Sequence, residues 1–297
     1  MKSLTRIRVI AVSTFTQLVR MKVFGFLAVF AVILIGVHFF DLPQANGPEN
    51  VAQEELKMMK SSAMGAMTLF AVIFSVAATG LLIPRDLEDR TLYTILCKPV
   101  PRFDYLAGKY LGVMMTILVG LVIMDLLMML ALQVRTGAVL AERMEMAAHL
   151  QWVDSVIEAE RAEVLKHGVT WNLQAGVLAI FLKSAIVAGV SLLISTFSTS
   201  TLFTIIIGFL VYFTGHFTGE AREYIMSQQL DPSPLTRFGS HLISVVFPDF
   251  RLFNVIDGAV EGLAISAETM SSLGGITLIY AAMYLVLSWF VFAKKEF

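Results

Sequence analysis

The chain has 297 residues, of which 57% are hydrophobic and only 15% charged, and its formal net charge is −1 at pH 7. A soluble globule carries about 25% charged residues, so this composition excludes an ordinary water-soluble surface and makes a bilayer the solvent. The near-zero charge gives no basic field for nucleic acid, and the single cysteine, Cys97, excludes an intramolecular disulfide framework and a cysteine-only metal site.

The first 22 residues carry Lys2, Arg6, Arg8, Arg20 and Lys22 and no acid. Within them, "LTRIRVIAVSTFTQLVR" sets Leu4, Ile7, Ala11, Phe15 and Leu18 at helical spacing, with Arg6, Ser13, Gln17 and Arg20 opposite. That pattern predicts an interfacial helix over 1–22; a basic leader that only sets topology is the alternative. Six apolar runs follow, near the roughly 20 residues needed to cross a bilayer. They are Val23–Phe40, Ala63–Ile83, Leu106–Leu132, Leu173–Thr196, Thr201–Phe217 and Leu273–Ala293. Each is expected to be helical, because a chain in lipid must satisfy its own backbone hydrogen bonds. The first reads as an anchor rather than a cleaved signal, since Pro43 in "LPQANG" stands where a cleavage site wants a small residue. The fifth is short, and Phe197–Thr201 joins it to the fourth as a tight hairpin.

Basic residues cluster in 1–22, in 84–110 and at Lys294 and Lys295, whereas acids outnumber bases in 41–62, 133–172 and 218–272. The positive-inside rule then puts both termini in the cytoplasm of a multi-pass protein of the plasma (inner) membrane. The expected fold is all-α, with a six-span transmembrane domain over 23–297 after the interfacial helix. Outside the membrane, 139–167 within the 133–172 segment reads as one long charged helix. In the 218–272 segment, 240–265 is apolar but broken by Pro248 and Gly258, as a re-entrant or interfacial element would be.

Two ionisable residues fall inside spans, Asp125 in the third and Lys183 in the fourth. Intramembrane charge marks a pair or a pathway; similar depths on consecutive helices favour a salt bridge, with a substrate or proton route as the alternative. Met114, Met115, Met124, Met128 and Met129 fit adaptable packing better than Cu(I) ligation. His38 and His216 lie near outer ends of spans without a sequence neighbour to share a metal. No H-E-x-x-H, G-x-S-x-G or intramembrane aspartate pair occurs, and "LAGKYLG" lacks the first glycine and the Ser/Thr of a phosphate loop. The expectation is a chain that is not an enzyme and holds no metal or cofactor of its own.

The block "PRDLEDRTLYTILCKPVPRFDYLAGKY", 84–110, interrupts this apolar chain with charge. Pro84 and Pro99/Pro101 bracket a helix-competent stretch whose apolar face is Leu87, Leu92, Tyr93, Ile95 and Leu96, with Arg85, Asp86, Glu88, Asp89 and Arg90 as its charges. Such a short helix at the membrane surface suits docking of a cytoplasmic partner; a solvated loop is the plain alternative. The block resembles the signature between the second and third spans of type-2 ABC exporter permeases. Glu88 matches that family's acid, Thr91 its threonine, Lys98-Pro99-Val100 with Arg102 its "KPVSR" element, and Gly108-Lys109 the opening of its third span. Arg90, Pro101 and Cys97 depart from the commonest residues. "VVFPDFRLFNVIDGAVEG" at 245–262 and the ending "WFVFAKKEF" are similar to the branch named for maturation of multicopper enzymes and nitrous-oxide reductase.

The resemblance implies half of a permease dimer, with a second copy or a paralogue beside it. It also implies separate ATPase subunits that bind ATP and Mg, and a coupling helix at 84–105. Contacts to the ATPase would come from Arg85, Asp86, Glu88, Asp89, Arg90, Thr91, Lys98, Pro99, Arg102 and Lys109, with Phe197–Thr201 a smaller contact. Lys98 and Arg102 suit lipid phosphate equally well. A stand-alone carrier or channel, or a membrane assembly factor, is the alternative function.

Overall fold

The computed structural model describes residues 3–22, 24, 25, 28, 29, 33, 36, 51–88, 100–198, 200–228 and 248–294. Among them there is no strand. The elements are α1 (Ser3–Val19), α2 (Val51–Glu88), α3 (Arg102–Leu150), α4 (Asp154–Lys166), α5 (Trp171–Phe197), α6 (Thr201–Gln228), a 3-10 turn (Phe250–Phe253), α7 (Ile256–Val260) and α8 (Ala267–Ala293). The helices α2, α3, α5 and α8 are long and apolar enough to cross a membrane, and Thr201–Phe217 is a shorter apolar helix. Val23–Phe40 lies largely outside the described residues.

α5 is the central helix, packed by α2, α3, α6, α7 and α8. Most of its apolar stretch, 72%, is buried, against 22% in α8, which leaves Leu278 and Ile279 outward as a lipid-facing helix would. Backbone carbonyls of α5 accept hydrogen bonds from its neighbours. Tyr110 Oη donates to Ala185 O at 3.0 Å and Ser75 Oγ to Ser184 O at 3.2 Å. Where water is absent, such bonds and dispersion contacts replace the hydrophobic drive between helices.

α1 forms on the expected residues but its buried face is Ala11, Thr14 and Leu18, while Leu4 is exposed. It runs side by side with the start of α3, in the same direction, rather than standing apart from the spans. A Cβ on Gly108 would come within 2.7 Å of Ile10, and one on Gly112 within 2.5 Å of Thr14. The Gly108-x-x-x-Gly112 spacing repeats on one helix face, so the two backbones meet there.

One segment differs from expectation. The single helix over 139–167 is a helical hairpin instead: α3 continues to Leu150, and Gln151 takes a left-handed conformation at φ 51°. Trp152 N–H then donates to Ala147 O at 3.1 Å, a turn that closes a helix end. α4 folds back on α3, where Arg143 meets Glu160 at 3.6 Å and Val164 is buried. The reversal came from a left-handed Gln rather than a Gly or Pro, which is why the sequence concealed it. The described part of 240–265, expected as an apolar but broken re-entrant or interfacial element, is the 3-10 turn and α7, with Phe250, Phe253 and Ala259 buried. The hairpin turn at Phe197–Thr201 is as expected, with Ser198 Oγ accepting from Ser200 N–H at 3.1 Å.

Candidate functional site

The charged block begins inside α2. Pro84 lies within its last turns, and Arg85, Asp86 and Glu88 continue the helix. Asp89, Arg90, Thr91, Lys98 and Pro99 lie outside the described residues, so the greater part of the expected coupling helix does too. Its far end is described: Pro101 caps α3, which opens on Arg102.

Residues from both flanks of the block bind one another. Asp86 and Lys109 are each 5% exposed, and Lys109 Nζ lies 2.7 Å from Asp86 Oδ2. Tyr105 Oη donates to the same oxygen at 2.7 Å, and the Lys109 ammonium lies 5.7 Å from the Tyr105 ring centre. Asp86 and Lys109 were expected to face an ATPase; in this conformation they face each other, because α2 and α3 pack closely enough to bury both. Arg102, half-buried, also binds within the chain. Its guanidinium donates to Phe292 O at 2.6 Å and Ala293 O at 3.0 Å, carbonyls of the last turn of α8. Tyr105 stacks on Phe292 with ring centres 5.8 Å apart.

Asp104 extends the cluster to α1. Ser3 Oγ donates to its Oδ1 at 2.7 Å and Arg6 lies 3.8 Å from its Oδ2. The start of α3 is thus joined to the end of α2, the end of α8 and the start of α1. Sequence reasoning listed Asp86, Arg102 and Lys109 but missed Tyr105, Asp104 and Ser3 as their companions. The signal was present, since 102–105 and 108–109 are one turn apart on a helix that had to begin near Pro101.

The expected Asp125–Lys183 salt bridge is not formed. Both Asp125 oxygens accept from Gln174 Nε2, at 3.1 and 3.0 Å. Lys183 Nζ instead lies 3.0 Å from His216 Nε2 and 5.5 Å from the Tyr212 ring centre, and His216 Nδ1 is 3.1 Å from Tyr212 O. The Nδ1 hydrogen is therefore the one donated to that carbonyl, leaving Nε2 to accept from the ammonium. The reason is depth: Gln174 is level with Asp125, and Lys183 lies nine residues further along α5, about 13 Å at 1.5 Å per residue. His216, which has no partner in sequence, has one in space. His38 lies outside the described residues. Met114, Met124 and Met128 are buried in the core while Met115 is exposed, which is the distribution of packing residues.

By length and composition of its helices this is an all-helical membrane protein. Neither a family model nor a curated protein matches the sequence.

Proposed function

We propose that the chain is the membrane-spanning permease subunit of an ATP-driven exporter of the ABC type. It would work as one half of a permease dimer and be moved by a separate ATPase that docks on 84–105. The observation that carries this reading is the clamp at both ends of the charged block. Asp86, Lys109 and Tyr105 tie α2 to α3, and Arg102 ties α3 to α8. A force applied to the residues between these anchors acts on three long apolar helices together, and through Asp104 on α1. That is what a coupling element needs; a loop that merely reverses the chain does not need it. The resemblance of 84–112 to the permease signature adds the identity of the partner. For such coupling, the nucleotide states of the ATPase must bind the permease conformations with different affinity.

Co-purification of the detergent-solubilised chain with an ATPase encoded beside it tests the proposal. The comparison is a variant with Glu88→Ala, Asp89→Ala and Arg90→Ala. Capture by the wild type and loss by a folded variant is the expected result, and absence of any ATPase from the wild type would sink the reading. A stand-alone carrier is the second reading, favoured by the buried Lys183–His216 pair, which presents a cation without a carboxylate partner among the described residues. Transport by the purified chain alone would support it.

A further inference from the structure

We propose that the ends of α2, α4 and α5 remote from the charged block form a binding site for a phosphate-bearing anion, supplied either by an anionic phospholipid headgroup or by free phosphate. The site rests on the membrane-spanning architecture and is independent of the exporter reading. Its centre is Lys60, which is 0% exposed. Its ammonium has three hydrogens to donate and one acceptor within reach among the described residues, Val260 O at a long 3.5 Å. A buried ammonium so poorly matched is costly unless an anion completes it.

Lys60 acts electrostatically on His167, which is 4% exposed. Among the described residues, the buried His167 Nδ1 has no hydrogen-bond partner, and neither has the buried Oγ1 of Thr170, three residues on. Lys57, Lys60 and Lys166 all act electrostatically on His167, against one carboxylate, Glu163. A cavity of about 430 Å³ has Gly168, next in sequence to His167, in its lining, together with Leu140, Leu165 and Val169 and the polar Gln133 and Thr136.

Depth fixes the chemistry. About 20 residues of helix cross the hydrocarbon, so counting back along α2 from Pro84 ends near residue 64. Lys60 lies one turn beyond, at the level of lipid phosphates. His167 and Thr170 directly precede α5, at the corresponding level. An ammonium with one long hydrogen bond, and an imidazole nitrogen and a hydroxyl without partners among the described residues, offer several donors, which a phosphate with several oxygens satisfies better than a single-point acceptor.

The full-length chain, purified in dodecyl maltoside, is to be titrated separately with phosphatidylglycerol, phosphatidylcholine and inorganic phosphate. Native mass spectrometry reads lipid retention and thermal unfolding reads the midpoint shift. Phosphatidylglycerol is expected to be retained and to raise the midpoint. Lys60→Gln is expected to weaken that binding roughly 10- to 100-fold, the loss of one hydrogen bond to a charged group. A shift reproduced in full by inorganic phosphate, and lost in Lys60→Gln, assigns the site to free phosphate. Equal retention of phosphatidylcholine, or undiminished phosphatidylglycerol binding by a folded Lys60→Gln variant, overturns the proposal. If that variant does not fold, Thr170→Val decides in its place, and undiminished binding there overturns it equally.

Discussion

Lys109→Met is the sharpest probe of the clamp beneath the charged block. The side chains of Asp86 and Lys109 are 7% and 6% exposed and their charged atoms are 2.7 Å apart. At an effective dielectric of about 20, that separation gives about 6 kcal/mol of attraction. Desolvation of two ions, several kcal/mol each, offsets most of it. The intact pair is therefore worth little net, but removing one member leaves a buried charge, at about 3–5 kcal/mol. The Tyr105 hydroxyl still donates to Asp86, which favours the lower end, about 3 kcal/mol. Asp86→Asn combined with Lys109→Met removes both charges and is expected to lose only about 1 kcal/mol, a coupling of at least 2 kcal/mol. Unfolding of the four proteins of the cycle in one detergent measures this. Additive losses, within about 0.5 kcal/mol, would refute the reasoning. They would mean that Asp86 and Lys109 act separately, as surface contacts to a partner would.

Three further outcomes follow from the same packing. Gly112→Val puts branched carbon where a single Cβ would already lie 2.5 Å from Thr14, so about 1–3 kcal/mol of overpacking should separate α1 from α3. Loss of a disulfide engineered between positions 3 and 104 would report it. Arg102→Ala leaves the α8 carbonyls of Phe292 and Ala293 without this donor and should destabilise by about 1.5–3 kcal/mol, with Arg102→Lys recovering part; equal stability of wild type and Arg102→Ala would exclude the link. Double-mutant cycles should give coupling for Asp125 with Gln174 and for Lys183 with His216, and additivity for Asp125 with Lys183. Coupling in the last pair alone would restore the salt bridge expected from sequence.

The spans were legible because lipid imposes one rule along the whole chain: an apolar run long enough to cross must be a helix. α2, α3, α5 and α8 each contain an expected span, and the short fifth run is the apolar part of α6. Helix partners were harder to read. Hydropathy placed Asp125 and Lys183 at similar depths by counting from assumed span ends, yet α3 runs to Leu150 without marking where the membrane stops. A counting error of two turns is enough to exchange one partner for another, and Gln174 took the place of Lys183. The outer helix failed for a different reason, since no sequence rule expects Gln151 to adopt a left-handed turn.

The charged block shows how one sequence signal can hold two physical roles. The resemblance assigned most of its charges to a partner, with lipid phosphate an equal choice for Lys98 and Arg102, because a charge run at a membrane surface is normally solvated. The described contacts single out three of them. Asp86, Arg102 and Lys109 sit where the helices converge and are consumed in holding α2, α3 and α8 together. On the exporter reading, Glu88, Asp89 and Arg90, placed between these anchors, remain as the contact. The division has a mechanical consequence that a uniformly exposed loop would lack. If 84–105 docks on a moving subunit, its displacement must strain the Asp86–Lys109 pair or carry both helices with it. Separating the pair inside the protein would leave two buried charges uncompensated, which makes rigid movement of the helices the easier course. Coupling efficiency, rather than ATPase affinity, is then the quantity that Lys109→Met should lower.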